Sequence, residues 1–549
     1  MSKSGKHPKG LYFLFFAEMW ERFGYYLMIG IFLLYMIGDK AAGGMGMERA
    51  NASDIFGTFI ALVFLTPFLG GLLADRKLGY RTSITIGGIM MGIGYCMLGI
   101  PGDFYFYTSL ALIILGNGFF KPNISTLLGN LYSEEQYKDK KDDGYNIFYM
   151  GINIGAFVCN FFGAYLLINY GWGQAFMGAG IGMFIGVIIF WIGVKHYKHV
   201  DVLKPVQPED DSLGKIFGVT ILPALVAGLL GWLIPKNIFG SDSTDAFIFG
   251  AMPVAWFYFS LYKKANTTDK RPIAAMLSVF AVVIVFWAVF KQNGTALTTW
   301  AELYTDRTMP AAVAPSAKKL QMSEEISGKT DTIFLTDDQF RKIKDEAGQP
   351  IKGLGQNNYF KNELPSKIPS TEKESVSLVS TNLFQSINPG WVILLTPLVV
   401  LFFTFLRRRG REPSTPAKIA WGLVISALST LVMVAAVYFC GNGESKASAW
   451  WLIASYGVVT VGELFLSPIG LSFVSKLSPP RLTALMMGGW FLSTSIGNKL
   501  SGILATMWDN YDNKMLYFLV NFILLTIAAI AIFSMLKWLK AIIAEHSGK

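Results

Sequence analysis

Apolar runs long enough to cross a bilayer recur along the whole chain, separated by short polar loops. A hydrocarbon core of ~30 Å takes about twenty residues of helix, and inside it every backbone amide must find its partner within the protein. The expected fold class is an all-α polytopic membrane protein. Composition agrees. With 52% hydrophobic and only 15% charged residues in 549, a soluble chain would carry too apolar a surface.

Membrane helices are expected at about 11–38, 53–74, 81–100, 104–132, 145–168, 174–195, 215–235, 245–263, 272–301, 388–407, 416–440, 448–475, 482–507 and 515–540, about fourteen in all. The net charge of +10 does not indicate nucleic-acid binding, because the basic residues lie between the apolar runs instead of on one patch. Arg76, Lys77 and Arg81, then Lys138, Lys140 and Lys141, then Lys263, Lys264 and Arg271, and finally Arg407 to Arg409 with Arg411, fall in alternate loops. The positive-inside rule therefore puts both termini in the cytoplasm, and the long polar segment from Tyr304 to Asn382 outside. That segment contains TIFLTDDQFRKIKDE, which is able to fold locally. A cleavable signal peptide is not expected at the start, whose apolar run carries internal charges.

Two patterns occur twice at matching places. FLTPFLGGLL around Thr66 and Pro67 echoes LLTPLVVLFF around Thr396 and Pro397. Gly116-x-x-Phe119-x-x-Pro122 echoes Gly462-x-x-Phe465-x-x-Pro468. The order favours two duplicated six-helix halves, 11–195 and 272–540, with linkers and an inserted two-helix hairpin at 196–271 and an outer insertion at about 303–385. Such repeats put a binding site near the midplane between the halves.

Ionisable residues inside the apolar runs mark that site, since each costs at least ~2–3 kcal/mol to insert and is retained where it functions. Glu18, Glu21, Arg22 and Tyr25 share one face of the first helix, with Tyr26 adjoining. Two carboxylates to one guanidinium leave an unbalanced charge that favours protonation, whereas a structural ion pair is the simpler alternative. Lys121, beside Pro122, has apolar sequence on both flanks and needs an acid or a watery cavity. Glu463 is its natural partner, because the repeat aligns Glu463 with Asn117, one turn from Lys121. A Lys121–Glu463 pair across the cavity is the expected gate. Lys291 stands in the middle of the ninth segment, and a buried lysine titrates readily. Ionised, Glu18, Glu21 and Glu463 balance Arg22, Lys121 and Lys291, a neutral cavity suited to a zwitterion.

Other chemistry is weakly represented. Cys96, Cys159 and Cys440 lie in apolar runs without metal-ligand or disulfide spacing, and every histidine (His7, His196, His199, His546) flanks a membrane segment. GAGIGMFIG at Gly178 reads as small-residue helix packing, not as a nucleotide loop. No metal site and no enzyme are expected.

Together these residues resemble a known family. Glu18-Met-Trp-Glu21-Arg22-Phe23-Gly24-Tyr25-Tyr26 is similar to the ExxERFxYY motif of proton-dependent oligopeptide transporters of the bacterial type. FYMGINIGA from Phe148 and FFKPNIS around Lys121 resemble that family's fifth- and fourth-helix signatures. GGLLADRKLGYR from Gly70 looks like the loop motif of the wider major facilitator superfamily. The resemblance implies a major facilitator fold with two extra helices and symport of di- and tripeptides with protons by alternating access, in a cell (inner) membrane, with no cofactor and as a monomer. By position, Glu18, Glu21 and Arg22 would serve proton coupling, with Lys291 as a further titratable group. Tyr25, Tyr26, Lys121, Asn153, Asn388, Glu463 and Trp490 would line the peptide site, the ligand amine meeting Glu463 and its carboxylate Lys121. The chain departs from the pattern at Ile29, where the family usually has arginine, at Lys291, where it usually has an acid, and at Phe64 in place of a frequent tyrosine. The same fold carrying nitrate or another small anion, and a transport-inactive sensor, are the alternatives.

Overall fold

The computed structural model describes residues 6–547 apart from 39, 41–42, 48, 204–210, 240, 295, 311, 320–321, 342, 344, 347–350 and 370–373. The helices are α1 (Lys9–Ile37), α2 (Arg49–Leu65), α3 (Pro67–Leu73), α4 (Tyr80–Leu98), α5 (Asp103–Leu131), α6 (Lys141–Tyr170), α7 (Trp172–Gly193), α8 (Leu213–Ile216), α9 (Leu222–Trp232), α10 (Asp242–Lys264), α11 (Thr267–Phe290), α12 (Ala296–Leu303), α13 (Ala314–Lys319), α14 (Ile387–Arg408), α15 (Thr415–Phe439), α16 (Ala449–Leu477), α17 (Thr483–Thr506) and α18 (Lys514–Ser547). Ten stretches, with α2–α3 and α8–α9 each taken as one, have the length and apolar composition to cross a membrane. Four further helices, α1, α4, α5 and α17, are long enough but richer in polar or glycine residues. That makes fourteen spans among the described residues.

Local chemistry sets the ends. Pro67 has no amide proton to continue α2, so the helix breaks at Thr66, whose hydroxyl donates to the Ile114 carbonyl at 2.8 Å. Gly79, at φ 75°, turns the chain into α4 in a conformation that L-residues avoid. Ser241 and Asn266 cap α10 and α11 by accepting from the backbone N–H of Thr244 and Asp269. The ninth expected helix is shorter than its apolar run. α11 ends at Phe290, and Lys291–Gly294 forms a 3₁₀ turn before α12, because the polar KQNG sequence interrupts the apolar face.

α1 to α7 pack together as one bundle, and α11 with α14 to α18 as the other. The α9–α10 hairpin lies against α2 and α11. The repeated Gly-x-x-Phe-x-x-Pro pattern has the same packing role in both halves. A Cβ on Gly116 would lie 2.7 Å from the Gly87 carbonyl oxygen, and one on Gly462 2.7 Å from that of Gly422. Helix backbones therefore touch at α4–α5 and again at α15–α16, as small residues permit.

The segment beyond α12 folds onto the far end of the second bundle. Strands β1 (Thr305–Asp306) and β6 (Ala447–Ser448) pair in parallel, and β2 (Ser323–Ser327) with β5 (Ser375–Val379) and β3 (Asp331–Phe334) with β4 (Lys352–Gly355) pair antiparallel. Tyr304 stacks on Trp300 with ring centroids 4.7 Å apart, and Lys446 Nζ lies 3.8 Å from the Tyr359 ring centre. At the opposite end, His7 meets the Tyr132 hydroxyl at 2.5 Å and Arg271 pairs with Glu545 at 2.8 Å. The first and last described residues lie at this end, called the terminal end below.

Candidate functional site: a charged cavity between the halves

Each half contributes charge to the space between them. On α1, Glu18, Glu21 and Arg22 are all buried. The Arg22 guanidinium reaches Glu21 through two hydrogen bonds and stands 3.7 Å from Glu18. Asn117 of α5 donates to Glu21 at 3.4 Å, and the Arg22 guanidinium lies over the Tyr25 ring at 4.9 Å. The second carboxylate oxygen of Glu18 has no hydrogen-bond partner. One guanidinium thus pairs closely with one carboxylate and stands farther from the other.

Glu463, 2% exposed on α16, is held differently. Tyr149 of α6 donates to one of its oxygens at 2.5 Å, and Asn388 of α14 to the other at 2.8 Å. Asn388 also reaches the Thr460 hydroxyl at 2.9 Å. These donors are neutral, and no cation of the described residues comes within ion-pairing distance. Lys121 on α5 sits between aromatic faces, 4.6 Å from the Phe64 ring centre and 4.7 Å from that of Phe491. Lys291 lies at the end of α11, 5.7 Å from the Trp287 ring centre and 6.0 Å from that of Phe290.

The helices that carry these groups pack together, α1 against α5 and α6, and α16 against α5, α6 and α11. The structure does not join Lys121 to Glu463, since each has the other partners just named. Tyr25 and Tyr26 lie edge to face at 5.4 Å beside Arg22. Asn153 uses its side-chain amide on the Tyr149 carbonyl at 3.0 Å within α6. Trp490 is turned into the second bundle, edge to face with Phe280 at 6.0 Å, where a Cβ on Gly470 would lie 1.9 Å from its ring. Ile29 packs against the core and Phe64 forms part of the Lys121 cage.

Sequence reasoning missed Tyr149, although it lies in the quoted FYMGINIGA signature, and missed a polar cluster that closes the terminal end. Asp142 of α6 accepts from Lys418 at 2.9 Å, Lys476 at 2.6 Å and Ser472 at 2.5 Å across the halves. Asp143 pairs with Arg407 at 2.7 Å, and Lys141 donates to the Ser475 carbonyl at 3.2 Å. Burial works against ionisation of Glu412, yet Arg407 and Lys418 hold it below the usual carboxylate range. Beside this cluster, Asp75 accepts from the backbone N–H of Leu485 at 2.8 Å and of Ala484 at 3.2 Å, at the start of α17. The signal was present in the sequence: acids directly follow the basic run at Lys138–Lys141, which orientation alone does not require. At the far end, by contrast, α2 from Ile55 to Ile60 and α17 from Ile496 onward carry many part-exposed side chains. Ion pairs tie the two halves together at the terminal end.

Comparison with known proteins follows this geometry. Residues 81–317 and 373–522 match the family model described as POT family. A di-/tripeptide transporter of Lactococcus lactis is 28% identical over 512 residues, covering 91% of this chain and 90% of that protein. A peptide transporter of Yersinia enterocolitica is 29% identical over 514 residues, with 91% and 88% covered. The crystal structure of a peptide transporter in complex with sulfate superposes with a TM-score of 0.62 at 28% identity, covering 98% of this chain and 96% of that one.

Proposed function

This chain belongs to the POT family, and from that premise we propose that it is a proton-coupled symporter importing di- and tripeptides by alternating access. It is a multi-pass membrane transporter and not an enzyme, on a major facilitator fold of two six-helix bundles with two extra helices. The relatives named as peptide transporters do not favour the nitrate or sensor alternatives. One observation supports the cargo most directly. Among the described residues, no cation pairs with the Glu463 carboxylate on the second half and no acid pairs with the Lys121 ammonium on the first. A zwitterionic peptide has the two complementary ends.

In this reading Glu18, Glu21 and Arg22 carry the coupling proton, with Lys291 as a further titratable group, and no cofactor is needed. Tyr25, Tyr26, Lys121, Asn153, Asn388, Glu463 and Trp490 contact the peptide, and Lys121 meets Glu463 as a gate when the cavity is empty and contracts. The chain divides at 11–195, 196–271 and 272–540, with the outer insertion at about 303–385. It acts as a monomer in the inner membrane, both termini cytoplasmic, so closure at the terminal end corresponds to an outward-facing state. Uptake of labelled dialanine by proteoliposomes, with and without an inward proton gradient, tests the proposal. Gradient-stimulated uptake lost in Lys121→Ala and Glu463→Ala is expected. Absence of uptake, with no competition by any peptide, would overturn it.

A further inference from the structure

The α9–α10 hairpin lies beside the two bundles and carries a recess of its own. α8, the turn Phe217–Ile221 and α9 form one continuous helix whose middle is widened to a π turn. Pro223 accounts for the widening, since it has no amide proton for the Val219 carbonyl and its ring would clash there. Between this widened turn and the last turns of α10 is a recess of about 250 Å³, bordered in part by Lys215, Trp256, Lys263 and Lys264. One water needs far less room. The helix is open around it, because a Cβ on Gly214 or Gly218 would meet nothing within 4 Å.

Charge in the recess is lopsided. Lys215 and Lys264 share the one carboxylate of Asp211, at 2.7 and 2.5 Å. The Lys263 ammonium lies over the rings of Trp256 and Phe259, at 5.1 and 4.9 Å from their centres, and pairs with no acid among the described residues. An ammonium on a ring face keeps donors free for an anion on its other side. The recess sits where both apolar spans of the hairpin reach the same membrane edge, Leu213 beginning one and Lys264 ending the other. Phe217, Val219, Trp256 and Phe259 are exposed beside it, and on such spans an exposed apolar side chain faces acyl chains.

We propose that this recess holds the headgroup of one anionic phospholipid from the leaflet at the terminal end. Its phosphodiester meets Lys263 and the two lysines bridged by Asp211, and its acyl chains run along Phe217, Val219 and Trp256. Three ammonium groups against one carboxylate favour a headgroup of net negative charge. A zwitterionic headgroup brings a second cation into the same place and loses that advantage.

The test is native mass spectrometry of the purified full chain with added dioleoyl phosphatidylglycerol or dioleoyl phosphatidylcholine. The first phosphatidylglycerol is expected to bind about tenfold more tightly, the scale of one or two lysines at a lipid phosphate. That preference should disappear in the double variant Lys263→Gln, Lys264→Gln and persist in Lys263→Arg, Lys264→Arg. Lys537 and Lys540 are exposed lysines on α18 and serve as the control, so Lys537→Gln, Lys540→Gln should leave the preference intact. Equal affinity for the two lipids in the unmodified protein overturns the proposal, and this comparison needs no variant to fold. An equal loss in the α18 control overturns it too, since general surface charge would then be responsible. Excess inorganic phosphate should not displace the lipid, whose acyl chains hold it. Displacement would make the recess a site for free anions and overturn the lipid assignment.

Discussion

Asp142 at the start of α6 and Lys476 near the end of α16 are joined by a 2.6 Å ion pair that crosses from one half of the molecule to the other. Lys418 approaches the same carboxylate at 2.9 Å, so one acid holds two helices of the second bundle. Removing its charge leaves two ammonium groups facing a neutral amide. We predict that Asp142→Asn weakens closure by about 2 kcal/mol, less than the ~3–5 kcal/mol of a fully buried pair because Lys476 keeps some water. A Ser475→Cys reporter should then react with an impermeant maleimide roughly thirtyfold faster from the terminal side. An unchanged rate would mean that the cluster does not govern access.

Tyr149 and Asn388 hold the two oxygens of Glu463 from two different helices. Tyr149→Phe removes a hydrogen bond to a charged group and frees the carboxylate to rotate. The expected cost is about 1.5 kcal/mol, near tenfold in the KM for dialanine. Unmoved transport kinetics would show that this bond is only structural.

The α1 triad yields a split between two assays. Glu18→Gln should abolish proton-driven accumulation of dialanine, a loss of at least about tenfold, while leaving counterflow exchange, which needs no net proton movement. Lys121→Ala should lose both. Accumulation that persists in Glu18→Gln would place the coupling proton elsewhere.

Much of this architecture was legible in the sequence because the bilayer imposes one strong rule on helix length. The boundaries of α4, α5 and α16 follow from apolar runs and their polar ends, and the doubled glycine patterns fall at the matching α4–α5 and α15–α16 seams. What the sequence hid was partnership across the halves. Lys121 and Glu463 were each conspicuous as lone charges in apolar runs, yet the groups that contact them, Phe64, Phe491, Tyr149 and Asn388, come from distant helices and carry no special spacing. Lys138 to Lys141 satisfied the orientation rule so well that the neighbouring Asp142 drew no notice. The early end of α11 at Phe290 was masked because the apolar pattern resumes in α12 after one 3₁₀ turn.

Outside the membrane, Lys446 supplies a pH dependence. Burial pushes its amine down to about 7, although Glu363 and Asp306 pull the other way. Between that value and the unfolded 10.5, the undocked chain binds more protons than the docked one, so docking strengthens as pH rises through the window and is at its weakest below about 7. Limited proteolysis of the 304–382 segment, corrected for protease activity, should be slower at pH 9 than at pH 6.5. Lys446→Met should remove the difference. A pH-dependent rate retained in that variant would assign the effect to another group.

The paired glycines at Gly87 and Gly116, and at Gly422 and Gly462, set limits on how the molecule deforms. Backbones in contact resemble laminated plates, which resist shear because no flexible side chains lie between them to yield. The working stroke therefore falls on the joint between two stiff slabs, and spin labels on α4 and α5 should hold their separation through a cycle in which labels on α5 and α16 do not. Alanine at any of these four positions would damage assembly of a slab and leave the joint itself sound.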